Sequence, residues 1–144
     1  GCVSLIPGAS RESDVIAKFG QPENQRRLPD GSRTLDFPGA PMGYENWRVT
    51  LAAEGVLRSV EQLLNEPHFS ALKPGMSIDE VKRTLGRHVE TSDFPALAEH
   101  VISWRYMDFG AKQMFFNAHF DSAGRFKYSS KTPEFIPENE YDSP

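Results

Sequence analysis

Four histidines, one cysteine and a scatter of carboxylates are the residues of this chain that could do chemistry. His68, His88, His100 and His119 are the candidates for a metal or a proton relay. None stands at the short, regular spacing from a second ligand that a metal motif needs, so no metal or cofactor is expected. His119 lies two residues from Asn117 and from Asp121, the arrangement of a solvated strand face. Asp93 with Glu99, or Asp108 with Asp121, could pair as acid and base, yet nothing in the sequence pins either pair together. Cys2 is the single thiol, and no positioned base is evident beside it. Gly8, Gly31 and Gly55 each have a turn to explain them, which leaves no phosphate-cradling loop. The expectation is a protein that is not an enzyme, because a clustered site is what sequence should hint at and does not.

The broad balance agrees. The chain has 144 residues and a net charge of -4, with no run of Lys and Arg that would form a stripe for nucleic acid. No apolar run approaches the roughly 18–20 residues that span a bilayer. The length suits one core of usual size or two small modules.

The elements that must position any site are announced by one stretch, Leu72 to Gly86. Ser77 is a good N-cap, and Glu80 three residues on can complete a capping box. Ile78, Val81 and Leu85 form one helical stripe, and Gly86 can end the helix in a left-handed conformation. The same pattern stands earlier. Pro7-Gly8-Ala9-Ser10 precedes Val15, Ile16, Phe19 and Gly20, with Ser10 expected as the cap. Leu35 and Phe37, then Trp47, Val49 and Leu51, alternate with polar residues as half-buried strands, and Glu54-Gly55 makes a hairpin turn. Ile102, Trp104 and Tyr106, then Met114, Phe116, Ala118 and Phe120, alternate likewise. Ser122-Ala123-Gly124 turns the chain, and Phe126 and Tyr128 continue the inward row. Asn24 to Arg27 reads as a polar connection, and Phe94 to His100 as a loop.

Gly55 to Gly124 is a step of 69 residues, and the same step carries Trp47 to Phe116, Leu51 to Phe120, Leu35 to Trp104 and Phe37 to Tyr106. The helices align at 66, from Gly20 to Gly86, so about three residues are expected between helix and sheet in the second copy. Recurrence of a whole element series at nearly one period marks a repeated unit. The expected class is α+β: two tandem repeats, each a helix on an antiparallel sheet. Two copies set edge to edge would each cover an open edge of the other, giving one continuous sheet. The expected division is a tether over 1–9, a first repeat over 10–66, a second over 67–132 and an acidic, proline-containing tail over 133–144.

The rows opposite the helices are the better place to look for function. Asp36, Asn46, Arg48, Arg105, Phe115, Asn117 and His119 are the candidate partner-binding residues, with Thr50 and Ser103 among them. Phe115 is the apolar exception in that polar row. An aromatic beside an arginine is favoured at protein interfaces. Equally, Phe115 can pack under the 38–43 loop or the tail.

Cys2 has a further reading. Gly1-Cys2 looks like the end of a bacterial lipoprotein signal, where a small residue precedes the cysteine that takes the lipid. Pro74-Gly75-Met76-Ser77-Ile78-Asp79-Glu80-Val81 with Leu85-Gly86, the Trp104-Arg105-Tyr106 strand and the Phe120-Asp121-Ser122-Ala123-Gly124-Arg125-Phe126 hairpin resemble the BamE/SmpA/OmlA lipoproteins of the bacterial outer membrane. That family's fold is similar to one half of the secreted β-lactamase inhibitor protein, whose tandem halves form a continuous sheet. The resemblance implies that Cys2 is the lipid attachment site and that the chain faces the periplasm from the outer membrane. It also implies partners among envelope proteins, such as the outer-membrane assembly machinery. The alternative is an inhibitor of a periplasmic or secreted hydrolase. Two copies instead of one depart from the single-domain assembly subunit.

Overall fold

A computed structural model of the chain describes residues 4–39 and 42–134. Cys2 and most of the expected tail lie outside the described residues. The contacts divide the chain into two units, one of Gly1–Gly39 with Asn46–Leu63, the other of Ala40–Glu45 with Leu64–Pro144. The 40–45 segment thus goes with the second unit.

The first unit has helix α1 (Glu12–Phe19) and strands β1 (Asn24–Arg27), β2 (Arg33–Pro38), β3 (Asn46–Leu51) and β4 (Leu57–Gln62), paired antiparallel in sequence order. Val15 of α1 packs with Leu35, Phe37, Val49, Leu51 and Leu57 to make its core. The second unit has a short helix α2 (Glu66–Ser70), helix α3 (Ile78–Leu85) and strands β5 (Glu90–Phe94), β6 (Glu99–Met107), β7 (Gln113–Phe120) and β8 (Phe126–Pro133), also antiparallel in sequence order. Val81 and Leu85 of α3 pack on Ile102, Trp104, Phe116, Ala118, Phe120 and Phe126, with Phe69 of α2 stacked on Phe116. The class is α+β, with two four-stranded antiparallel sheets. A single continuous sheet is not part of this pairing.

The two units repeat each other bond for bond at the hairpin. Ala52 donates its N–H to the Val56 carbonyl and Asp121 to the Arg125 carbonyl, at 2.8 and 2.9 Å. Each hairpin has a β-bulge one residue before its turn, between Thr50 and Leu51 and between His119 and Phe120. A single bridge joins the helix start to the hairpin in each unit, Arg11 to Val56 and Ser77 to Arg125. The register also corrects the alignment. Phe37 pairs with Trp47, and Trp104 pairs with Phe116, so Phe37 answers to Trp104 and Leu35 to Ile102, a step of 67. One extra residue therefore falls between β5 and β6 and two between β6 and β7. None collects between helix and sheet. The step of 69 misassigned β2 by two residues without changing its face, because side chains alternate with period two.

Three local expectations change. Ser10 is not the cap: its hydroxyl accepts from the Ile6 N–H at 2.8 Å, and Arg11 takes the N-cap position, its N–H held by the Asp14 carboxylate. Ser77 and Glu80 do form the reciprocal box. Gly20 and Gly86 end their helices at φ 84°, ψ -158° and φ 82°, ψ -156°, a region open essentially to glycine alone rather than the left-handed helical one. Tyr128 turns outward, because the bulge adds a residue and inverts the alternation after Phe120.

Candidate functional site

In the first unit, the outward face of β2 and β3 is closed by its own charges. Asp36 and Arg48 are direct cross-strand partners, and the guanidinium grips both carboxylate oxygens at 2.7 and 3.0 Å. Asn46 is only 2% exposed. Its side chain accepts from the Gly39 N–H, and its backbone N–H donates to Gln62. Asn46 therefore fastens the strand end and is not presented to solvent.

In the second unit, the outward row is a hydrogen-bonded network across three strands. Arg105 forms an ion pair with Glu134 at 2.6 Å and lies against the rings of Tyr44 and Phe115. Tyr44 also donates its hydroxyl to Glu134 at 3.0 Å. Burial, with the Glu134 carboxylate beside it, pushes the Tyr44 phenol up from its usual range. Phe115 is half-buried in this packing. The contact the structure shows for the Phe115 ring is the Arg105 guanidinium, 5.6 Å from its centre.

Asn117 is a central joint. Its side-chain carbonyl accepts from Ser103 at 2.7 Å, and its amide donates to Ser130 and Thr132 at 3.3 and 3.1 Å. His119 sits next along β7. One ring nitrogen, Nδ1, is 2.9 Å from a Glu99 oxygen, and the other, Nε2, is 2.8 Å from the Ser130 hydroxyl. Tyr128 stacks on the ring at 4.2 Å. Lys127 holds the second Glu99 oxygen at 2.9 Å. The His119 hydrogen bond and the Lys127 ammonium together keep the Glu99 carboxyl below its ordinary range.

Sequence reasoning singled out Arg105, Phe115, Asn117 and His119, and the structure brings them onto one face. It missed what they touch. The structure sets Glu99 on His119 and Asp93 on His100, so these two carboxylates do not form an acid–base pair. Asp108 and Asp121 are turn-closing carboxylates, each accepting two backbone N–H groups. Ser130 went unnoticed, because only the register after the bulge sets it beside residue 117. A cavity of about 480 Å³ near the β5–β6 and β7–β8 turns includes Glu99, His100 and Asp121 in its wall, and the contacts just described already engage all three. Among the described residues, no group of three His, Cys, Asp or Glu could hold a metal ion, and no helix is long and apolar enough to cross a membrane.

The exposed apolar side chains lie elsewhere. Phe109 stands fully in solvent at the tip of the β6–β7 turn, at 108% of its reference exposure, with Met107 beside it at 42%. The turn under Phe109 is fixed. One Asp108 oxygen accepts from the Gly110 and Lys112 N–H groups at 2.9 and 2.8 Å. Phe94 and Leu97 are exposed on the opposite, β5–β6 turn.

No protein-family model matches this chain, and no curated protein matches it. Among solved structures it is similar to a putative beta-lactamase inhibitor protein from Streptococcus mutans, at 12% identity over 87% of this chain and 83% of that one, with a TM-score of 0.32.

Proposed function

We propose that this chain works by binding another protein, through the β6–β7 turn that carries Phe109, as a periplasm-facing module of the outer membrane tethered by lipid at Cys2. One observation carries the binding role: a large aromatic is held wholly in water on a turn already closed by Asp108. Leaving a phenylalanine exposed forgoes roughly 1.5–3 kcal/mol of burial, which a partner's pocket would recover. A pre-ordered turn also avoids much of the entropy lost when a loop is fixed on binding. The tether and the envelope partner rest on the sequence resemblance alone.

The test uses the full chain, lipidated and unlipidated, as bait in detergent-solubilised envelopes. Capture of outer-membrane assembly components that is lost with Phe109→Ala supports this reading. Equal capture by the parent and by Phe109→Ala would defeat it. The same exposed side chain allows a second reading, an inhibitor that inserts Phe109 into the cleft of a periplasmic or secreted hydrolase. A panel of such hydrolases, assayed with the parent and with Phe109→Ala, separates the two.

A further inference from the structure

Three groups stand in series on the outward face of the second unit: the Ser130 hydroxyl, the His119 ring and the Glu99 carboxylate, at 2.8 and 2.9 Å. We propose that this series is an acyl-transfer centre, with Ser130 as nucleophile, His119 as its base and Glu99 as the group that orients the ring, and that it takes acyl esters with good leaving groups. The proposal goes beyond the binding role and stands apart from it, since Phe109 and Ser130 lie on different parts of the unit.

The contacts are those an activated nucleophile needs: a base within hydrogen-bond reach, itself oriented by a third group. Glu99 is ionised, so the Nδ1 edge of His119 carries the proton and donates it to the carboxylate. Nε2 is then left with a lone pair facing Ser130. Lys127 on the other oxygen and Tyr128 against the ring restrict both groups. The side chains of His119 and Glu99 are 14% and 9% exposed, which strengthens their mutual field, while Ser130 is half-exposed on the last strand of its sheet. The Asn117 amide donates to the Ser130 oxygen at 3.3 Å and so holds the hydroxyl beside the His119 ring. A nucleophile and base without a built oxyanion donor suit an activated ester better than an amide, whose poorer leaving group asks more of the site.

The steps balance. The Ser130 oxygen attacks the ester carbonyl as its proton passes to His119 Nε2. The carbon–oxygen bond to the leaving group breaks, and His119 returns the proton to the departing alcohol. Water, deprotonated by the same nitrogen, attacks the acyl carbon; the bond to Ser130 breaks, Nε2 returns the proton to the Ser130 oxygen, and the acid leaves.

The test is labelling of the full chain with an alkyl fluorophosphonate, followed by peptide mass spectrometry from about pH 5 to 9. One adduct is expected, on Ser130. It disappears in Ser130→Ala and persists in Ser129→Ala, a neighbour on the opposite face. His119→Asn should slow labelling at least about tenfold. Glu99→Gln should slow it too, because an amide can donate to Nδ1 and force the ring proton onto Nε2. Circular dichroism checks that each variant folds. If His119→Asn does not fold, the pH profile of the parent decides: a labelling rate that rises with deprotonation of an imidazole supports the proposal, and a flat one overturns it. Absence of an adduct on Ser130, under conditions that saturate a known serine hydrolase, would reduce the series to a structural hydrogen-bond chain. Phe109→Ala should label as the parent does, so loss of binding and loss of labelling are separable.

Discussion

The same pair of positions is solved differently in the two units. Asp36 opposite Arg48 in the first answers to Ser103 opposite Asn117 in the second, by register rather than by any likeness of the residues. The first unit closes its outward face with a bidentate ion pair. The second uses a neutral hydroxyl–amide bond at 2.7 Å. Asn117 keeps its donors free of a local counter-charge, and they reach the next strand at Ser130 and Thr132. The Asn117 amide relays the chain from β6 to β8. Through Ser130 that chain extends to His119.

The cores differ in the same spirit. Each unit has one of the chain's two tryptophans. Trp104 is fully buried, and its indole N–H holds the Gly86 carbonyl at 2.9 Å, tying the end of α3 to the sheet. Phe37, its counterpart, has no such donor and stacks on Phe19 at 4.9 Å. Trp47 is only half-buried. Trp104→Ala should therefore cost about 3–5 kcal/mol by urea unfolding, and Trp47→Ala clearly less. Equal costs would erase the distinction between the two cores.

Asp36→Ala should come next, at about 1.5–3 kcal/mol, because it removes both charge-assisted hydrogen bonds between the carboxylate and the half-buried Arg48. Replacing both partners, Asp36→Ser with Arg48→Asn, transplants the neutral solution and should recover part of that loss. The transplant should also reduce the salt dependence of the midpoint. Gly20→Ala and Gly86→Ala test what the units share. Each forces a side chain into a glycine-only conformation and should cost about 1–3 kcal/mol. At Gly20 the added carbon meets nothing within 4 Å, so strain alone is measured there.

The smallest effect concerns pH. All four histidines fall in the second unit. Burial, then the nearby Lys82, Arg87 and His100, hold the His88 ring below its ordinary 6.5. The unfolded chain therefore takes up that proton first as pH falls. Stability from neutral His88 is complete above about 6.5 and declines below it. In the first unit, the Arg33 contact holds Glu12 below 4.5, and Ser32 hydrogen bonds hold Asp30 at about 2. Their contributions are full above the ordinary carboxylate range and fall only in stronger acid. Hydrogen exchange in each unit between about pH 6.5 and 4.5 should show softening in the second alone, and His88→Gln should abolish it.

What could be read in the sequence was whatever repeats on one face. The stripe of α3 and the inward rows around Trp47 and Phe116 survive an error of two residues, because parity is all they need. Asn24 to Arg27 could not be read as a strand, since β1 is an exposed edge with no apolar alternation. Ser10 was a plausible cap whose hydroxyl was claimed by Ile6 instead. The site was half legible for a related reason. His119 and Asn117 could be placed on a face from their own strand, but Glu99 and Ser130 come from its neighbours. Which residue stands opposite another depends on a bulge that no residue type announces.

The two additional residues between β6 and β7 fall where they disturb neither helix nor hairpin. Phe109 thus sits at the turn where the second unit exceeds the first by the most residues. Its length and chemistry can drift while the body behind stays as it was, as a key blank keeps its bow while its blade is recut.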